Sequence, residues 1–203
     1  MLTIDFKYLP IQKGDSILDL GCGQGRHGIN VCLAHEAVNV VAVDLASEDL
    51  MVAQTQLQQF RQLEQCKHFF LAQADGLCLP FADNSFNQVI CSEVLEHVPN
   101  YQMMLKEINR VLKQGGWAIL QVPFFYPLVD ITEEDSSITD PLLREKLYGQ
   151  SDHVRRYGKD YADRIRQWGF RVTEDEYCSS LPIETRKKYA LPEDEIIYFC
   201  EKV

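Results

Sequence analysis

The stretch Ile17-Leu-Asp-Leu-Gly-Cys-Gly-Gln-Gly-Arg26 constrains this chain more than any other. A short apolar run ends at Asp19-Leu20, breaks into Gly21, Gly23 and Gly25, and passes at once into a helical pattern. The pattern reads as a buried strand, a glycine turn and a helix start. Glycine has no Cβ, so its backbone reaches positive φ and a ligand can approach it closely. At the end of the first strand of an α/β sheet, that turn is where a nucleotide-like ligand sits.

The chain keeps this rhythm. Apolar runs at 16–20, 39–43, 68–72, 88–91 and 117–122 read as five strands separated by helical spacing or turn-rich loops. Ser47 is expected to cap the helix after strand two, with Glu48 and Asp49 in its first turn. Residues 93–97 read as a short helical turn. Gly115-Gly116 is expected to stop the helix that carries Met104, Ile108 and Val111. Five strands in this order imply a parallel sheet with right-handed crossovers.

The rhythm breaks over 124–157, which is aromatic at its start, acidic at Glu133-Glu-Asp135 and helical near 142–147. It returns with a helix at 161–168, a strand at 170–173 and a last strand at 196–200. No repeat or linker interrupts the chain, so residues 1–203 read as one domain with 124–157 as an insert after strand five. A length of 203 residues suits that reading.

A net charge of −10 argues against a nucleic-acid surface, which relies on clustered Lys and Arg. Seven scattered cysteines without a C-x-x-C pair argue against a disulfide framework or a zinc site. They read as small buried residues, and no metal is expected. The opening residues lack a basic, then apolar, leader, and no apolar run is long enough to span a membrane. A cytoplasmic protein, monomer or homodimer, is the expectation.

Ligands of open α/β sheets bind beyond the carboxyl ends of the strands. The first residues past each strand are the three glycines, then Asp44, Asp75, Ser92-Glu93 and Phe124-Phe125. Asp44 follows Gly21 at about the interval, roughly 20 residues, at which an acid binds ribose hydroxyls. An ordinary loop acid is the alternative for Asp44, and a turn residue for Asp75. No Lys follows the glycines as a P-loop requires. The third glycine comes one position too early for the dinucleotide fingerprint, with Arg26 in its place. A pyrophosphate cradle is therefore disfavoured.

Asp19-Leu-Gly-Cys-Gly-Gln-Gly25 resembles motif I of the class I methyltransferases that use S-adenosylmethionine. Val43-Asp44 resembles their ribose-binding motif, and Ala74-Asp-Gly-Leu-Cys-Leu-Pro-Phe81 their adenine-side loop. Ser92-Glu-Val-Leu-Glu-His-Val98 and Glu107-Ile-Asn-Arg-Val-Leu-Lys-Gln-Gly-Gly116 resemble the segments after strand four and before strand five. Together they cover about residues 14–123 in the family's order, closest to its small-molecule branch. The resemblance implies a Rossmann-like α/β sheet of seven strands, mostly parallel, in order 3-2-1-4-5-7-6, its last strand antiparallel, with helices on both faces. It implies Asp19, Gly21 and Gly23 at the amino-acid part of S-adenosylmethionine and Asp44 with Leu45 at its ribose. Asp75, Gly76 and Leu77 fall on the adenine side, with Ser92 and Glu93 beside the bound molecule.

The implied activity is methyl transfer to a small-molecule acceptor. Two other readings remain: a non-catalytic S-adenosylmethionine-binding partner of another enzyme, and a nicotinamide-dependent oxidoreductase. The first is motivated by the short lead-in, where many relatives carry helices that lid the site. On the acceptor side, His153 is either a general base or a residue that orders the insert. His97 is a candidate base or, as Val98 and Pro99 after it favour, a helix-end residue, and Tyr126 is a further candidate base. Arg155 and Arg156 are either an anion-binding fork or a solvated pair. Phe124, Phe125 and Tyr126 either wall an organic substrate or belong to the core.

Overall fold

The computed structural model describes residues 6–60, 62–189 and 191–203. Residues 1–5 of the expected lead-in lie outside the described residues. The described part of the lead-in forms a 3-10 turn, Phe6–Tyr8, whose Phe6 is buried.

Among the described residues, nine strands form two sheets. The large one contains β1 (Ser16–Leu20), β2 (Asn39–Asp44), β3 (Phe69–Gln73), β4 (Phe86–Ser92), β5 (Leu112–Gln121), β8 (Phe170–Asp175) and β9 (Ile197–Lys202). Its order is β3-β2-β1-β4-β5-β9-β8. This is the expected 3-2-1-4-5-7-6, with β8 and β9 as sixth and seventh strands. β1 through β5 pair in parallel, and β9 runs antiparallel to both β5 and β8.

Period-two alternation divides each central strand between two helical layers. Leu18, Leu20, Val43, Val89, Cys91, Ala118 and Leu120 face one core, with α3 (Tyr101–Val111) and α5 (Tyr161–Arg166). Ile17, Val40, Ala42, Ile90 and Ile119 face the other, with α1 (Arg26–Ala34) and Leu57 of α2 (Ser47–Gln58). The buried positions of α3 (Met104, Leu105, Ile108 and Val111) recur at helical spacing. Asn100 caps this helix, its Oδ1 accepting from the Met103 N–H.

Several local expectations are corrected. Ser47 is the first residue of α2 rather than its cap. Ala46 occupies the cap position, and its N–H donates to Asp44 Oδ1 at 2.9 Å. Residues 93–97 form a turn and not a helix, because Glu93 has φ 58° and a right-handed helix cannot pass through that conformation. The turn closes through His97 N–H to Val94 O. α3 ends at Val111, ahead of Gly115-Gly116, and β5 starts at Leu112 with an irregular register against β4.

Within 124–157, α4 (Pro141–Tyr148) is capped by Asp140, which accepts from Leu143 N–H. A two-stranded antiparallel ribbon pairs β6 (Glu133–Glu134) with β7 (Arg155–Arg156). The acidic middle of the insert and its Arg pair are thus opposite each other in register. Beyond β8 the chain adds α6 (Tyr177–Ser180) and α7 (Ile183–Tyr189), which had no clear signature in the sequence. All seven cysteines are free, six of them buried and Cys78 exposed. Among the described residues, no helix is long and apolar enough to cross a membrane.

Candidate active site

The carboxyl ends of β1 to β5 bring the expected rim together. Gly21 and Cys22 donate their N–H groups to Val43 O, tying the glycine turn to the end of β2. Gly23 N–H donates to Asp44 Oδ2 at 2.8 Å, so both Asp44 oxygens are held by backbone N–H groups. Asp44 O accepts from Ala74, and Gln73 Nε2 donates to Leu45 O, joining β2 to the loop after β3. Asp75 Oδ1 accepts from Leu77 N–H, a local turn that leaves its second oxygen to solvent or ligand. Gly76 packs so closely on Met104 that a Cβ there would lie 2.3 Å from Met104 Cε.

The glycine turn has two kinds of position. Gly21 has φ 69°, and a Cβ there would lie 2.3 Å from Val94 Cγ2, so the turn packs on the loop after β4. Gly23 has φ 48°, and a Cβ there would meet nothing within 4 Å among the described residues. The first glycine serves packing and conformation; the second borders open space.

Asp19 is buried beneath this turn, its Oδ2 accepting from Gly28 N–H at 2.8 Å. Burial raises its pKa to about 7, opposed by the Gly28 hydrogen bond and aided by the charge of Asp44. His27 Nδ1 lies 3.9 Å away, but burial lowers its pKa to about 4. Around pH 6 both groups are neutral, so this contact is not an ion pair. Glu93, at the end of β4, has its pKa raised by burial and by Glu195. Its N–H donates to Gln121 O, which fixes the rim's far side.

The loop after β3 is fastened from α3. Arg110 donates to Leu79 O and Phe81 O and pairs with Asp83 and Glu107, while Glu107 Oε2 accepts from Leu79 N–H. The Arg110 hydrogen bonds hold the Glu107 carboxyl below its ordinary range.

The insert's residues are placed differently from the rim. Arg155 is 2% exposed, and its guanidinium donates to Leu95 O, Val98 O, Pro99 O and Glu134 Oε2. It also lies 4.6 Å over the Tyr101 ring. This corrects both sequence alternatives: Arg155 is neither solvated nor an open fork for an anion. Arg156 donates to Phe125 O and Pro127 O, holding the chain that leaves β5. Phe124 packs between Tyr161 and Tyr198. Tyr126 is exposed, its hydroxyl donating to Asp194 O, and its pKa is pushed up to about 12, chiefly by burial of the hydroxyl. A phenol that keeps its proton at neutral pH is a poor general base.

The family described as a methyltransferase domain matches residues 18–120, half of the chain. The chain belongs to that family. A demethylmenaquinone methyltransferase of Staphylococcus carnosus is 32% identical over 56% of this chain and 45% of its own length. An O-methyltransferase of Aspergillus nomiae is 32% identical over 51% of this chain and 44% of its own. The chain thus aligns with under half the length of these curated relatives. An S-adenosylmethionine dependent methyltransferase from Mesorhizobium loti superimposes with a TM-score of 0.67 at 18% identity. That match covers 95% of this chain and 92% of the other, and at this identity it shows a shared fold.

In this methyltransferase domain the family match ends before the insert, and the insert holds the residues that sequence reasoning placed least well. His153 is 1% exposed, and its Nδ1 donates to Tyr148 O at 2.8 Å. Burial lowers its pKa below the ordinary imidazole value. Its ring meets His97 edge-on at 4.7 Å between centroids. Glu96, read only as part of a motif, is 1% exposed, and burial raises its pKa to about 8. Its signal was the adjacent pair Glu96-His97. The third member, His153, joins only through the insert's fold.

Proposed function

We propose that this chain binds S-adenosylmethionine along the rim and transfers its methyl group to a small organic acceptor. The observation that carries this reading is the carboxylate of Asp44 held on the glycine turn by Gly23 N–H, with Asp19 buried beneath. A carboxylate such as Asp44 on a glycine turn suits a cationic ligand and opposes a pyrophosphate. The open space at Gly23 leaves room for that ligand.

In this reading Asp19, Gly21 and Gly23 bind the amino-acid part and Asp44 the ribose. Leu45 accompanies Asp44, while Asp75, Gly76 and Leu77 bind the adenine side, and Ser92 and Glu93 lie beside the methyl donor. The cofactor supplies a methyl group already activated on a positively charged sulfur. The protein's contribution is then largely orientation, which is worth on the order of 7–11 kcal/mol when reacting atoms are held at near-attack distance. The network of Asp44, Gly23 and Ala74 provides a rigid platform for that task.

Phe124 and Tyr126 would border the acceptor. Arg155 and Arg156 would shape its site by fixing the backbone around 95–99 and 125–127, not by binding an anion. One relative is named for demethylmenaquinone and another as an O-methyltransferase, which favours a small organic acceptor.

Isothermal titration with S-adenosylmethionine and S-adenosylhomocysteine tests the reading. Saturable binding of both, with labelled methyl transfer to a metabolite pool, is expected. Absence of binding by folded protein would falsify it. Binding without turnover would favour the non-catalytic partner, and binding of NAD alone would favour the oxidoreductase.

A further inference from the structure

A second constellation lies outside the rim. One ligand atom from each of Glu96, His97 and His153 lies within 4.8 Å of the other two. His97 Nε2 is 3.8 Å from Glu96 Oε1. Both Glu96 oxygens and His153 Nε2 are buried and find no hydrogen-bond partner among the described residues. Leaving such groups unpaired is costly, because each has given up water without a replacement.

The two imidazoles are prepared in the same way. His153 Nδ1 faces the Tyr148 carbonyl, which can only accept, so Nδ1 carries the proton and Nε2 keeps its lone pair. His97 Nδ1 lies 3.1 Å from Asp152 Oδ2, and a carboxylate there likewise favours the proton on Nδ1. A carboxylate or carbonyl behind each imidazole is the arrangement that orients histidines toward a metal.

We propose that Glu96, His97 and His153 form a binding site for a divalent first-row transition ion of the zinc type. Two imidazole nitrogens and one carboxylate suit such an ion, whereas magnesium and calcium prefer oxygen ligands. Metal–ligand distances of about 2.0–2.2 Å place ligand atoms roughly 3–3.5 Å apart in a tetrahedral site. Loading therefore draws together ligand atoms that now lie within 4.8 Å of one another. Three protein ligands leave a further coordination position for water or an acceptor oxygen.

The site also has a structural consequence. Glu96 and His97 follow β4, while His153 belongs to the insert. The two segments already join through Val154 N–H to Glu96 O and through Arg155 to Leu95, Val98 and Pro99. A bound ion would fasten the insert to the rim of the sheet. The site stands or falls independently of methyl transfer.

The test uses the full chain carrying Cys78→Ser, which removes the exposed thiol, after dialysis against chelator. Zinc chloride is titrated by calorimetry, and cobalt chloride is followed by visible absorption. One equivalent of each ion is expected to bind, with cobalt showing d–d bands and no thiolate charge-transfer band. Zinc should raise the melting temperature in a concentration-dependent way. Glu96→Gln and His97→Ala should each abolish stoichiometric binding. His97 is 33% exposed, so its truncation is the variant best suited to retain the fold, and circular dichroism checks both. No binding by folded protein, unchanged binding in both folded variants, or a thiolate band on the cobalt protein would each overturn the proposal.

Discussion

Asp44 Oδ2 accepts a 2.8 Å hydrogen bond from Gly23 N–H, so the acid that ends β2 is anchored on the turn that follows β1. The same carboxylate takes the Ala46 N–H through its other oxygen. One side chain therefore sets the shape of the glycine turn, the start of α2 and the polar face offered to a ligand. Asp44→Ala removes all three. It is expected to weaken S-adenosylmethionine binding by about 1.5–3 kcal/mol, the scale for hydrogen bonds to a charged group. Asp44→Asn retains one acceptor oxygen and should lose less. Calorimetric titration of the two variants checks the ordering, and equal losses would contradict it.

Gly21 and Gly23 separate packing from access. Gly21→Ala places a methyl 2.3 Å from Val94 Cγ2 at φ 69°. Left-handed backbone costs about 1–2 kcal/mol and overpacking about 1–3 kcal/mol more. Gly23→Ala meets only the conformational cost, because no described residue lies within 4 Å of the added methyl. Urea denaturation should rank Gly21→Ala as the less stable variant. Val94→Ala should recover part of the Gly21→Ala loss and none of the Gly23→Ala loss.

Asp19 predicts a pH dependence of stability. Its folded pKa of about 7 lies above the ordinary value of 3.8, because burial disfavours the charged form. Between those two values the unfolded chain has released this proton while the native protein retains it. Stability therefore falls as pH rises across that interval, with no further contribution above it. Asp19→Asn cannot ionise and keeps an oxygen for Gly28 N–H. Denaturation midpoints measured from pH 5 to pH 8 should decline less in Asp19→Asn than in the parent chain.

Arg155 is buried among the carbonyls of Leu95, Val98 and Pro99 and the carboxylate of Glu134. Arg155→Ala leaves those acceptors without their donor and should destabilise the fold by about 3–5 kcal/mol, as for other broken buried pairs. Arg155→Lys offers a point charge in place of a planar fork and should recover only part of the loss. Thermal or urea unfolding reads the difference. A loss below 1 kcal/mol for the alanine variant would show that the clamp is dispensable.

The central sheet was legible because its determinants are local. Each run of β1, β2 and β4 is apolar on both faces, and each ends in a glycine, an acid or a turn residue. Strand boundaries at β1 coincide with the sequence reading, and β9 is displaced by a residue or two. The failures at Ser47 and at 93–97 have local causes. Asp44 already holds the Ala46 N–H, and Glu93 adopts a left-handed conformation that its residue type does not announce.

The insert was least legible. Arg155-Arg156 and Glu133-Glu134 are each ordinary charge runs until the ribbon sets them opposite each other. Glu107 and Arg110 gave no sign of holding the loop at 79–83, since that contact crosses from α3 to a loop distant in sequence. Glu96 and His97 were visible as neighbours, but the spacing to His153 carries no ligand pattern.

The sequence by itself determined the strand order's local ingredients, the glycine turn and the acids at 19, 44 and 75. Hydrophobic periodicity and backbone preference act within a few residues, so a linear reading captures them. Only the tertiary structure decided which charges are buried and what faces them. Burial and long-range proximity set whether Arg155 is a clamp, whether Asp19 keeps its proton near neutrality, and whether Glu96 meets two imidazoles.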